Sequence, residues 1–159
     1  MPIRIRWFSK EYLGIALMLF GVIIFVQALF IILSQYFFGV GNYFVITIIP
    51  AGASIALFYA GLIIYEAFAQ VRRRKELRSR FRKHVDSIQT IRKILKFPIV
   101  KPVLIIVSLF IPVFLISFAI GNVFLEESYS FIIGQNIAVI FCLLIANLIE
   151  RNYAKVQRY

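Results

Sequence analysis

Three long stretches of this chain contain no charged residue: Tyr12–Tyr65, Pro102–Leu125 and Ser128–Ile149. A helix needs about 20 apolar residues to cross a hydrocarbon core of about 30 Å. The first stretch is long enough for two crossings, and each of the others is long enough for one. Because the runs do not alternate polar and apolar residues as barrel strands do, helices are favoured. The sequence therefore predicts an all-α integral membrane protein with four transmembrane helices.

The predicted spans form two hairpins within a single membrane domain, residues 1–159. The Gly-rich turn Gly39–Asn42 separates the first two spans, and Glu126–Ser128 separates the last two. A basic amphipathic segment joins the hairpins. The predicted spans cover residues 12–38, 43–70, 102–124 and 131–152, and the basic segment covers residues 71–97.

The distribution of charge predicts the orientation. The chain of 159 residues carries 18 Lys and Arg against 7 Asp and Glu, a net charge of +11. The basic residues lie in the two terminal tails and around the basic segment, and neither short turn contains one. Since Lys and Arg favour cytoplasmic loops, we expect a multi-pass cell-membrane protein with both termini and the basic segment in the cytoplasm.

Apolar residues in the basic segment recur at helical spacing, which predicts a basic amphipathic helix. We expect it to lie on the membrane surface against anionic headgroups, or to dock an acidic partner. The competing geometry is a straight extension of the second span. Nucleic acid is not expected, because Phe81 is the only aromatic residue between Val71 and Lys96. The predicted contact residues are Arg72, Arg73, Arg74, Lys75, Arg78, Arg80, Arg82 and Lys83.

Small residues predict the faces on which the helices pack, because close backbone approach holds helices together in a bilayer. In the first span, small or polar residues recur every seven positions, a period typical of a left-handed crossing; they are Gly14, Gly21, Ala28 and Gln35. In the second and fourth spans they recur every four positions. These predicted packing residues are Gly52, Ala56, Ala60, Gly134, Ala138 and Cys142.

The sequence offers no candidate catalytic, cofactor-binding or metal-binding residue. His84 is the only histidine and lies in the basic segment, and the uncharged stretches hold no carboxylate. No nucleophile–base pair or phosphate loop is recognisable, so we expect a protein that is not an enzyme and binds no cofactor. Uncharged amides inside the spans predict either hydrogen bonds between helices or a polar substrate path. They are Gln27, Gln35, Gln135, Asn136 and Asn147, and a polar path would be lined by Gln27, Gln35, Asn136 and Asn147.

The four spans, cytoplasmic termini and basic central segment resemble the GtrA-like proteins. Asn147 followed by Arg151 is similar to part of that family's closing Asn/Arg-aromatic pattern, with the aromatic residue displaced to Tyr153. The resemblance implies a role in moving lipid-linked sugars across membranes.

Three functional hypotheses follow. The first is a non-catalytic structural or accessory subunit that packs with other membrane subunits or with itself. The second is a small translocator of lipid-linked sugars or solutes. The third is a membrane-surface adaptor that acts through the basic segment.

Overall fold

The computed structural model describes residues 10–37, 39–79 and 99–155. Each of its helices contains a stretch that is long and apolar enough to cross a membrane. Within the described residues, the prediction of an all-helical chain with four candidate membrane spans is therefore confirmed. The helices are α1 (Lys10–Tyr36), α2 (Tyr43–Ser79), α3 (Val100–Phe124) and α4 (Glu127–Lys155).

The turn between α1 and α2 ends in a well-formed helix start. The Oδ1 atom of Asn42 accepts hydrogen bonds from the backbone N–H groups of Phe44, at 3.1 Å, and Val45, at 3.4 Å. These bonds satisfy two donors that a helix N-terminus leaves free. Gly39 has a φ angle of 65°, a left-handed conformation that glycine adopts without strain. The glycine and the asparagine of the predicted turn thus each have a structural role: Gly39 adopts the left-handed conformation, and Asn42 caps α2.

The helix α2 lies at the centre of the bundle and contacts each of the other three helices. The most extensive contact joins α3 to α4, followed by that of α2 with α4 and that of α1 with α2. The helix α3 also packs against α2 and touches α1 over a small area. Among the described residues, no contact joins α1 to α4. The helix α1 is therefore peripheral.

The two short turns, at residues 39–42 and 125–126, lie at the same end of the bundle, which we call the turn end. The Glu127 carboxylate lies against Gly39, since a methyl group added to Gly39 would lie 2.9 Å from Oε2 of Glu127. Both α2 and α4 begin at this end and pack against each other. These two helices therefore run parallel, whereas α3 ends where α4 begins and runs antiparallel to it.

The helix α2 continues beyond its apolar span. It contains 37 residues, or about 55 Å at 1.5 Å per residue, whereas the span ends at Val71. Arg, Lys, Glu and Leu favour helices, so charge ends the span without ending the helix. The backbone of residues 72–79 thus continues α2 as helix. The surface helix predicted over the rest of the basic segment lies outside the described residues.

Candidate functional site

The small residues of α4 lie at the interface with α3. A methyl group added at Gly134 would lie 3.3 Å from the backbone nitrogen of Phe118, so the two backbones approach closely. One turn further on, Ala138 is fully buried. The Cys142 thiol donates a weak hydrogen bond to the carbonyl oxygen of Ile106 at 3.9 Å. The complete buried row, which we call the α4 stripe, comprises Ser130, Gly134, Ala138, Cys142 and Ala146.

The corresponding residues of α2 are only partly packed. Ala60 is fully buried, Ala56 is half-buried and Gly52 is exposed. A methyl group added at Gly52 would meet no atom of the rest of the bundle within 4 Å. Residues four apart rotate by about 40° around a helix axis, so a row with this spacing winds away from a single neighbour. The structure thus places Gly52, which the spacing predicts to be a packing residue, on an outward face that contacts no other helix among the described residues.

The small residues of α1 point away from the bundle. Methyl groups added at Gly14 or Gly21 would meet no other helix within 4 Å among the residues that the structure describes. We call this outward row, which comprises Gly14, Gly21, Ala28 and Gln35, the α1 small face. The buried face of α1 instead carries mostly large residues: Ala16, Leu19, Ile23, Gln27, Phe30 and Ser34. The seven-residue spacing thus does not mark the side on which α1 packs against its own chain.

A cluster of phenylalanines fills the core opposite the α4 stripe. The ring of Phe114 lies 5.1 Å from that of Phe30 on α1 and 5.8 Å from that of Phe131 on α4, both edge-to-face. It also stacks on Phe110 and Phe118 at 6.2 and 5.9 Å. Such ring pairs add stability beyond burial alone. Our sequence analysis missed this cluster, although the four-residue spacing of Phe110, Phe114 and Phe118 was available to find it.

Two fully buried amides lie near the middle of the bundle. Gln27 precedes the end of α1 by nine residues, and Gln135 follows the start of α4 by eight. At 1.5 Å per residue, both lie about 12–14 Å from the turn end. Neither side chain has a hydrogen-bond partner among the described residues. Buried polar groups normally have partners, so this pair is exceptional.

The helix α2 contributes a third buried polar side chain at a similar depth. Ser54 follows the start of α2 by eleven residues, which corresponds to about 16 Å. Its hydroxyl donates a hydrogen bond to the carbonyl oxygen of Pro50 at 2.8 Å. Pro50 lies inside α2 and has no backbone N–H to donate within the helix. We call Gln27, Ser54 and Gln135 the amide layer.

The other amides that were predicted to form interhelical hydrogen bonds or a polar path lie outside the amide layer. Gln35, Asn136 and Asn147 are all exposed, whereas Gln27 is buried. The four amides therefore do not line one continuous groove. Asn147 instead lies at an open surface groove of about 420 Å³ between α2 and α4. We call this groove the crease; it is lined by Tyr59, Ile63, Ile140, Leu143, Leu144, Asn147 and Glu150.

The basic residues predicted to contact lipid or a partner divide into two groups. The α2 backbone continues through Arg72, Arg73, Arg74, Lys75 and Arg78. Arg80, Arg82 and Lys83 lie outside the described residues.

Comparison with known proteins assigns the chain to no family. No family model, curated protein or solved structure matches it. Among the described residues, no group of three or more His, Cys, Asp or Glu side chains could hold a metal ion. The resemblance to GtrA-like proteins gains no support from these comparisons.

Proposed function

We propose that this protein is a non-catalytic subunit of a membrane assembly, formed with other subunits or with further copies of itself. The observation that carries the proposal is the outward direction of the α1 small face. In a bilayer, helices associate where small residues let two backbones approach. The α1 small face offers this property to a second chain, because methyl groups added at its glycines would meet no other helix within 4 Å in the part of the chain that the structure describes.

An exposed amide within the fourth span adds support. Asn136 is exposed on α4 and follows the helix start by nine residues, or about 14 Å, which is hydrocarbon depth. Amide groups facing hydrocarbon lose the hydrogen bonds that water would provide. A partner helix could supply those bonds, since Asn and Gln side chains commonly hydrogen-bond across transmembrane helices.

The proposal is tested by substituting Gly21 with leucine. We expect Gly21→Leu to reduce the assembly isolated in mild detergent to single chains, because leucine would hold the partner backbone away. Val22→Leu is the matched control, since Val22 is also exposed but lies beside the small face. Mass measurement by light scattering would distinguish the outcomes. Unchanged mass for Gly21→Leu would contradict a role of this face.

We further propose the orientation that the charges favour. The chain forms two hairpins in the cell membrane, with the turn end outside and both termini cytoplasmic. The turns at Gly39 and Glu127 lie together, and neither contains Lys or Arg, which supports placing them on one side. Reporter domains fused after Tyr159 should be active only in the cytoplasm. Reporter activity outside the cell after this fusion would reverse the orientation.

The basic segment is a candidate contact for anionic headgroups. The helix α2 carries five Lys or Arg positions between residues 72 and 78, just beyond its apolar span. Each Lys or Arg close to an anionic surface contributes about 1 kcal/mol. Replacing Arg72, Arg73 and Arg74 with glutamine should reduce the enrichment of phosphatidylglycerol around the protein in mixed-lipid nanodiscs. Equal enrichment before and after would argue against both this contact and an adaptor role based on it.

The amide layer favours translocation of a lipid-linked sugar or small solute as a second candidate function. Two buried amides without partners among the described residues cost stability in a resting bundle, whereas a polar solute passing between the helices could bond to them. Gln135→Met removes one of these amides. It should therefore reduce the uptake of the lipid-linked sugar or small solute into proteoliposomes while the protein remains folded. Flux equal to that of the unmodified protein would remove this support.

A further inference from the structure

We propose that the crease between α2 and α4 binds one phospholipid with a primary-amine headgroup of the ethanolamine type. One acyl chain lies on the apolar floor, and the headgroup lies against Glu150, Asn147 and Arg151. This inference does not depend on the proposed subunit role, which concerns the α1 small face.

Within the described residues, the contact between α2 and α4 is covered on one side only, which leaves the crease open. The helix α3 packs against both, and α1 packs against α2 and touches α3. All the described residues that line the crease belong to α2 and α4. Several keep large apolar surfaces exposed: Tyr59 is 51% exposed, Ile140 57% and Leu144 58%. Its volume of about 420 Å³ falls within the range of small-ligand sites.

The lining changes along the crease from apolar to polar side chains, just as a phospholipid changes from acyl chain to headgroup. Ile140 follows the start of α4 by thirteen residues, or about 20 Å, and therefore lies at hydrocarbon depth. Asn147 follows it by twenty residues, or about 30 Å, which is the thickness of the hydrocarbon core. Glu150 lies almost one turn further. The polar end is thus level with headgroups, on the side away from the turn end.

The charges at the polar end favour an amine-bearing, zwitterionic headgroup. Glu150 supplies a carboxylate that can accept charge-assisted hydrogen bonds from an ammonium group. The next residue, Arg151, is exposed and can donate to a phosphate, as can the amide of Asn147. A purely anionic headgroup would leave the carboxylate without a complement. A choline headgroup has no N–H donor and would lose the hydrogen bond to Glu150.

Native mass spectrometry of the full chain tests the proposal. The protein is released from nanodiscs that contain equal amounts of phosphatidylethanolamine, phosphatidylcholine and phosphatidylglycerol. We expect one retained phosphatidylethanolamine per chain, preferred over phosphatidylcholine by about threefold, as expected for one solvent-exposed hydrogen bond that choline cannot make. Glu150→Gln should abolish this preference. Leu144→Trp should fill the floor and remove the retained lipid.

A matched variant separates binding in the crease from loosely associated lipid. Leu148 is an exposed leucine of α4 that does not line the crease, so Leu148→Trp should leave retention unchanged. Loss of lipid in both tryptophan variants would overturn the proposal, as would an ethanolamine preference that persists in Glu150→Gln. Preference for phosphatidylglycerol would instead indicate lipid held by the basic segment. A second copy of the chain displaced by Leu144→Trp, with no retained lipid, would identify the crease as a protein interface.

Discussion

Two rows of small residues, with similar appearance in the sequence, have opposite positions in the molecule. The α4 stripe is buried between neighbouring helices, and Gly134 is within van der Waals reach of the α3 backbone. The α1 small face is exposed, and Gly21 meets nothing. The difference follows from what lies opposite each row. Small residues pack where the neighbour presents large ones, so a row of small residues is only half of a contact.

The contact of α1 with α2 shows the same rule with the roles reversed. Here the large side chain comes from α1: a methyl group added at Gly61 of α2 would lie 2.9 Å from Cδ2 of Leu19. The small residue that matters is therefore on α2. The α1 small face is left for lipid or for another chain.

Among substitutions that shorten a side chain, the largest predicted effect is at the large-residue side of the α3–α4 contact. Phe114→Ala would remove a ring that packs against four others and leave a cavity beside Gly134. We expect a loss of about 3–5 kcal/mol in the free energy of unfolding. Phe25→Ala, at an outward position of α1 that is 65% exposed, should change it far less. Reversible unfolding in detergent measures both variants. Equal losses of unfolding free energy for Phe114→Ala and Phe25→Ala would contradict this prediction.

A smaller effect is expected where α3 meets α4 near the turn end. A methyl group added at Gly121 would lie 3.3 Å from Cα of Ser130, a backbone atom that cannot rotate away. We expect Gly121→Ala to cost about 1–3 kcal/mol. Gly41→Ala is the control, because a methyl group there meets no atom within 4 Å. Thermal unfolding of both variants measures the difference, and equal melting temperatures would contradict a close contact at Gly121.

The smallest predicted effect is an increase, not a decrease, in the free energy of unfolding. Gln135→Met keeps the volume of a buried side chain and removes an amide that lacks partners among the described residues. We expect an increase in unfolding free energy of about 1–2 kcal/mol. The same change at the exposed Gln35 should have a smaller effect. A destabilised Gln135→Met variant would show that the amide is bonded in the bilayer.

The helices were largely predictable from the sequence, but their packed faces were not. Membrane spans are found from missing charge, and this property marks the apolar part of α2 up to Val71. In a soluble helix, apolar periodicity also identifies the buried face. In a bilayer both faces are apolar, so Leu17 can be exposed while Leu19 is buried without any difference in residue type. The spacing of small residues was the guide used here, and it was informative for α4 but not for α1.

The candidate sites depended on relations between helices that no local pattern contains. Gln27 and Gln135 are far apart in the chain, and their matched depth follows from the two turns lying at one end. The crease likewise requires α2 and α4 to run side by side in parallel. Sequence analysis could identify Asn147 as polar within a span, but not its position at the mouth of a groove.

The most direct test compares leucine at the two rows in a detergent that keeps the chain monomeric. We predict that Gly134→Leu melts far below the unmodified protein or does not fold, with Gly134→Ala as a milder variant that still shows a loss. Gly21→Leu should stay within the range of ordinary surface substitutions, about 0.5 kcal/mol. Equal destabilisation by Gly134→Leu and Gly21→Leu, or none by either Gly134 variant, would contradict the assignment of one packed and one outward row.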